Sequence, residues 1–236
     1  MPKKEIFKSY NKYTFEIRYK SNPKVLDFRG LWAEKVSEHM ELPHWRIEEN
    51  RIDIYDKDGR NRTFIGFKNA GFVSNDVPTS NYFPDKSIKF FKFVLELDGF
   101  NAPIIVNRIG LRFQSYSAFK GTFEELLKRY SSRFLDMNEN AKKILDAKLV
   151  DIGGPLNFVN KHGNFNTMSG PMNNVQASQL LNRKDELPKI GLYFDIDYWQ
   201  KPNKKIGNAR ILEQIRDYSE KTWDKYEKIR DLLLKD

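Results

Sequence analysis

Two short runs hold the side chains best suited to chemistry. In "VNRIGLRF" (106–113) Arg108, Gly110 and Arg112 alternate with apolar residues, and in "GLYFDIDYW" (191–199) Asp195 and Asp197 do the same. Successive side chains of a strand point to opposite faces, so both arginines share one side of a strand and both aspartates one side of another. Two carboxylates two residues apart could hold a divalent cation while the arginines held a phosphate. Magnesium and manganese sites normally recruit further oxygen ligands, and no second acidic cluster stands out. The simpler expectation is that the two strands are neighbours and the four residues form structural cross-strand ion pairs, each contributing roughly 0.2–1 kcal/mol. Gly110, between the arginines, would leave room for a long side chain or a crossing helix.

Other reactive residues are sparse. The three histidines, His39, His44 and His162, show no H-x-x-x-H or H-E-x-x-H spacing, and His39 and His44 flank "MELP" at a helix end, where a histidine commonly meets the negative end of the dipole. Cysteine is absent, which removes disulfides, thiolate metal sites and thiol nucleophiles. No G-x-S-x-G exists; "TMSGP" (167–171) holds half of such an elbow. "DIGGPLNF" lacks the Lys-Ser/Thr of a phosphate loop. The sequence therefore gives no catalytic residue, no metal and no cofactor, and an enzyme is not expected.

The elements that must position these residues follow from periodicity. Tyr13, Phe15, Ile17 and Tyr19 alternate with polar residues as a half-buried strand over 12–20. A helix is expected over 24–40, a hairpin from Trp45 to Val73 with "DKDGRN" as its turn, and a buried helix over 85–98. After the arginine strand, Thr122 and Glu125 form a capping box for "TFEELLKRYSSRFL". A short helix is expected at 138–145, strands at 147–160 and loosely over the region around Phe165 to Gln179, and a strand in "PKIGLYFDIDYW". A long helix closes the chain at 208–234. Its 3-4 spacing of Leu212, Ile215, Ser219, Thr222, Tyr226, Ile229 and Leu233 predicts a seam laid on a sheet. A coiled-coil homo-oligomer is the weaker use of that seam, because two of its positions are Ser and Thr. No strand–helix alternation is sustained, so the expected class is α+β: mainly antiparallel sheets with helices on one face, in two fused sheet-helix halves at 1–118 and 119–236 that form one compact unit.

At 236 residues with 39% hydrophobic and 14% aromatic content, the chain is long and apolar enough for a proper core. No stretch approaches a membrane span and the N-terminus has no apolar signal region, so a cytoplasmic protein without a membrane partner is expected. The formal charge of +9 divides into +5 for 1–118 and +4 for 119–236. Such a diffuse excess aids solubility and weakly favours anionic partners.

The strands "FEIRY" (15–19), "RIGLRF" (108–113) and "LYFDIDYW" (192–199), the last running into a long terminal helix, resemble an uncharacterised, sporadically distributed prokaryotic family of about this length. The resemblance covers most of the chain, and "RIGLRF" is its most specific element. It implies an α+β fold without an assigned reaction, in a mobile or defence setting. The long loop before "FPDK" and the Asn/Gly-rich 160–174 depart from the family pattern.

Two segments are candidates for binding. "NKHGNFNTMSGPMNN" (160–174) is almost uncharged; as a surface loop it is either a mobile hairpin tip or a presenter of Phe165, Met168 and Met172 to a protein partner. "QKPNKKIGNAR" (200–210) places Lys201, Lys204 and Lys205 before a helix N-terminus. With Arg60 and Arg62 in "DGRNRT" and Lys3 and Lys4 at the start, these residues could bind nucleic acid or another anion, with Tyr10, Tyr13 or Trp199 stacking on bases. The leading expectation is a non-catalytic binding or adaptor protein acting in a protein complex, with a mobile or defence system as its setting. The alternative is a nucleic-acid binder using the basic loops.

Overall fold

In the computed structural model, residues 9–101, 104–135, 144, 149–160, 163–183 and 186–235 are described. Lys3, Lys4 and His162 lie outside them, as does the helix expected at 138–145 apart from residue 144. The alternating apolar residues of the N-terminal region make β1 (Ser9–Tyr19), with Tyr13, Phe15, Ile17 and Tyr19 buried on one face. The helix expected over 24–40 is broken at Phe28 into α1 (Lys24–Asp27) and α2 (Arg29–Met40). The expected hairpin is a meander of four strands, β2 (His44–Ile47), β3 (Arg51–Tyr55), β4 (Asn61–Gly66) and β5 (Asn69–Asn75). Helix α3 (Tyr82–Val94) starts and ends earlier than its apolar run suggests, and turns Phe83, Phe90, Phe91 and Val94 inward.

Strand β6 (Ile104–Ala118) contains the arginine run. Helix α4 (Phe123–Phe134) is capped as its sequence indicates: the Thr122 hydroxyl accepts from the Glu125 N–H, and the Glu125 carboxylate accepts from the Thr122 N–H. Strands β7 (Gly154–Asn160) and β8 (Gly163–Asn173) precede α5 (Asn174–Leu181), whose N-terminus carries a second capping box, between Asn173 and Gln176. Strand β9 (Ile190–Gln200), the short β10 (Lys204–Ile206) and α6 (Asn208–Leu234) complete the chain.

The strands form one ten-stranded antiparallel sheet in the order β2-β3-β4-β5-β1-β6-β9-β8-β7, with β10 continuing the line of β9 along β6. Residues 1–118 supply β1 to β6 and residues 119–236 the rest, and the two sets meet where β6 pairs β9. Helices α2, α3, α4 and α6 lie on one face, over Phe15, Ile54, Phe72, Leu111, Phe194 and their neighbours. Among the described residues only α5 packs on the other face, where Ala177 and Leu181 meet Tyr116 and Tyr193 at one end of the sheet. No other described helix covers the rest of that second face, called the open face below.

Helix α6 turns its seam onto the sheet. Ile215, Ser219, Thr222, Tyr226 and Leu233 are buried, with Leu212 and Ile229 half-buried beside them. Tyr226 stacks edge-on against Phe113 at 4.9 Å, and its hydroxyl bonds to the hydroxyls of Ser9 and Ser117, both at 2.8 Å. These contacts anchor the helix to β1 and β6 together. Its outer face carries the ion pairs Asp217–Lys221, Asp224–Lys228 and Asp231–Lys235.

Gly110 leaves room for a long side chain, that of Arg108, whose Nη1 would lie 3.3 Å from a Cβ there, and for the backbone of β9, but not for a crossing helix. A Cβ there would lie 2.8 Å from the Tyr198 carbonyl oxygen and 3.1 Å from Trp199 Cβ. The carbonyl is fixed in the ladder and cannot yield. Gly110→Ala should therefore destabilise the protein by about 2 kcal/mol, the size of an overpacked core site, read as a lower urea midpoint at unchanged slope.

Candidate functional site

The open face is a grid whose rows are set by strand register. One row runs His44, Tyr55, Arg62, Val73, Thr14, Arg112, Asp197, Asn166 and Asn157 across nine strands. The row on one side of it holds Asn75, Lys12, Gln114, Asp195 and Met168. The row on the other side holds Arg46, Asp53, Phe64, Gly71, Glu16, Gly110, Trp199 and Asn164. Arg18 and Arg108 lie directly opposite each other one row further on.

The four residues of the two sequence runs meet here. Arg108 Nη2 donates to both carboxylate oxygens of Asp197, at 2.8 and 2.7 Å. Arg112 grips Asp195 with Nε at 3.0 Å and Nη2 at 2.5 Å. Asp195 is offset by one row from Arg112 and Asp197 by two rows from Arg108, so each arginine reaches diagonally to β9. Asp195 is 6% exposed and also accepts from the Tyr193 hydroxyl, which Gln114 Nε2 approaches at 2.9 Å. Burial pushes the Asp197 carboxyl above its usual range against the pull of Arg108. Burial, then the Asp195 charge, raises the Tyr193 phenol. With both aspartates held by arginines, their oxygens are occupied by N–H donors. Among the described residues no group of three His, Asp or Glu is placed to hold a metal.

The other cations of the face are distributed unevenly. Arg18 pairs with Glu16 at 3.0 Å, Arg51 with Asp53 at 2.6 Å and Arg46 with Glu48 at 2.6 Å. Arg62 reaches the already engaged Asp53 only at 3.8 Å. Among the described residues the Lys12 ammonium has no hydrogen-bond partner and no ion pair within 4 Å. Burial, then the charges of Arg62 and Arg112, lower its ammonium pKa from the usual 10.5, while Asp195 opposes them.

The expected basic set is split. Arg60 and Arg62 lie at the Lys12 end of the grid, since Asn75, opposite Lys12, donates its N–H to the Arg60 carbonyl. Lys201 lies over the Trp199 ring at 5.2 Å, and Lys204 and Lys205 pair with the start of β6 beyond Arg108. Four residues of β1 separate the Arg62 row from the Arg18 row, about 13 Å along a strand. Tyr13 is buried, and Tyr10 sits under Arg183 at 5.1 Å.

The segment 160–174 is not a surface loop where described. Residues 163–173 are β8, paired to β7 on one side and β9 on the other. Phe165 stacks between Phe158 at 4.7 Å and Tyr198 at 4.9 Å, on the helix-covered face. Met168 and Met172 pack beside Tyr116 and Tyr193 on the other face. Alternation in a run of Asn, Gly, Thr and Met carries little hydrophobic signal, which is why the sequence indicates this strand only loosely and extends it to Gln179, where α5 stands instead. Lys12 was missed, although "NKYTFEIRYK" already put it opposite the buried tyrosines. His39 lies flat on Phe93, 4.2 Å between ring centres.

The sequence matches no protein-family model, and a search of curated proteins gives no match.

Removing Arg112 would strand a buried carboxylate, whereas removing Arg18 would free a solvated one. Arg112→Met is expected to lower stability by about 3 kcal/mol and Arg18→Met by less than about 0.5 kcal/mol. Urea unfolding of the two variants measures the contrast, and equal losses would contradict the different roles assigned to the two pairs.

Proposed function

We propose that the chain is a non-catalytic binding protein that acts as an adaptor in a cytoplasmic protein complex, in a mobile or defence setting, and takes an extended segment of a protein partner along the edge of its sheet. The observation that carries this reading is the contrast between the two edges. Natural sheets protect their outer strands with short length, charge or proline. Strand β2 is protected: it has four residues and carries Arg46 and His44. Strand β7 has seven residues, GPLNFVN, without a charge, and only Pro155 interrupts its hydrogen-bonding groups. Leu156, Phe158 and Val159 are 49%, 41% and 81% exposed, and Leu149 and Val150 are exposed close by in sequence. An uncharged edge with alternate side chains outward is what strand addition requires: the backbone supplies hydrogen bonds and the side chains supply selectivity. The contact is carried by β7 rather than by Phe165, Met168 and Met172. Phe165 instead supports the strand from behind by stacking on Phe158.

Lysines on the edge should abolish strand addition without disturbing the core. The double variant Leu156→Lys, Val159→Lys is expected to unfold within about 0.5 kcal/mol of the parent, as exposed substitutions usually do. It should lose the proteins that the immobilised parent retains from a prokaryotic lysate. Sedimentation of both forms separates a foreign partner from self-association through the same edge. Retention of the same proteins by the variant would sink the proposal.

A further inference from the structure

We propose that Lys12, Arg62 and Arg112 form a binding site for a phosphate group on the open face of the sheet. The site is independent of the β7 edge. Register places Arg62 and Arg112 on either side of Thr14 in one row, three strand spacings or about 14 Å apart at the backbone. Lys12 stands two residues along β1 from Thr14, so its side chain emerges on the same face between the two arginines. Both guanidinium side chains are about half exposed and reach solvent.

Charge and hydrogen bonding select the ligand. Arg18, Arg46, Arg51, Arg108 and Arg112 each have a carboxylate within 3.0 Å. Among the described residues, Lys12 and Arg62 have no carboxylate that close, and they lie together, whereas Lys201 stands apart over Trp199. Counting Lys12, Arg62, Arg112 and Asp195, and setting Arg51 against Asp53, the local sum is +2. A carboxylate would leave half of that uncompensated, whereas a phosphate dianion matches it. The donors are of the kind phosphates prefer: an ammonium, and guanidinium groups whose N–H forks fit two oxygens at once. Arg112 spends Nε and Nη2 on Asp195, and among the described residues nothing engages its Nη1 or the Lys12 ammonium. The Thr14 side chain stands in the row between the arginines.

The same placement gives a signature that a purely structural lysine would not have. In the empty protein the Lys12 charge is partly buried beside two like charges, so it works against folding; an arriving phosphate reverses that. Melting of the full chain is compared in sodium phosphate and in sodium chloride of equal ionic strength. Without phosphate, Lys12→Met should melt above the parent. Phosphate should raise the midpoint of the parent beyond the chloride control, and this increment should vanish in Lys12→Met. Arg62→Gln, at an exposed position, should keep the parental midpoint in chloride and weaken phosphate binding about tenfold, the loss of one charged hydrogen-bonding partner. A labelled short oligothymidylate identifies the source of the phosphate. Saturation at concentrations roughly 100-fold below those for inorganic phosphate, with steep salt dependence and loss in both variants, indicates a polynucleotide backbone. Oligonucleotide binding no tighter than inorganic phosphate indicates a small phosphate compound. The proposal is overturned if neither probe binds the parent, or if both variants keep the parental response.

Discussion

Each arginine of the central strand β6 has a carboxylate of β9 beside it, and this pairing organises the sheet. Strand β6 lies between β1 and β9, buried on its helix-covered face by Ile109, Leu111 and Phe113. Its other face carries Arg108 and Arg112, and β9 brings Asp197 and Asp195 to them. A slip of one residue between these strands would turn every apolar residue of β9 outward and draw the aspartates under the helices. Hydrophobic pattern and ion pairing therefore demand the same register. Gly110 lets β9 approach without obstruction between the two pairs. The Tyr226 bridge to Ser9 and Ser117 then seats α6 on strands whose alignment is already determined.

Legibility in the sequence follows from whether a residue's partner is near or far. The capping box of Thr122 and Glu125 lies within four residues and appears in the structure as read. The class, the antiparallel pairing and the long final helix follow from period and residue type. The strand order does not, because β1 and β6 are joined across about a hundred residues and β6 and β9 across about eighty. The break at Phe28 is hidden because nothing local forbids helix there, while Phe28 packs against Trp32 at 6.0 Å between rings. The missed helix α5 did carry a local signal, Asn173 followed by Gln176 before a run of good helix formers. Its reading was obscured by the asparagine and glycine around it.

The candidate site divides in the same way. Arg108, Arg112, Asp195 and Asp197 stand out because charge is unexpected within an apolar run. Lys12 does not, since a lysine on the polar side of an edge-like strand is ordinary. It becomes unusual only once β5 and β6 flank β1 and bring Arg62 and Arg112 from strands fifty and a hundred residues away. Most charges on the open face are neutralised by a neighbour within hydrogen-bonding distance, and each such pair is explained by the sheet itself. A charge that the sheet does not neutralise needs a cause outside it.

A wide single sheet offers two kinds of surface, and the physics of each differs. A face displays side chains on a fixed grid of about 4.8 Å by 6.6 Å, so it can recognise a ligand through a few placed charges. An edge displays backbone, so it recognises extended chain and little else. The helices α2, α3, α4 and α6 all lie on one face, and among the described residues nothing covers the β7 edge or the part of the other face beyond α5. Surfaces at right angles do not compete for the same atoms. A phosphate held at Lys12 on β1 and a partner strand added to β7 would be separated by β6, β9 and β8, close to 19 Å at strand spacing. Direct coulombic influence over that distance exceeds the Debye length at physiological salt. Any coupling between the two would have to run through the rigid sheet, by way of the Arg112–Asp195 and Arg108–Asp197 pairs that hold β6 to β9.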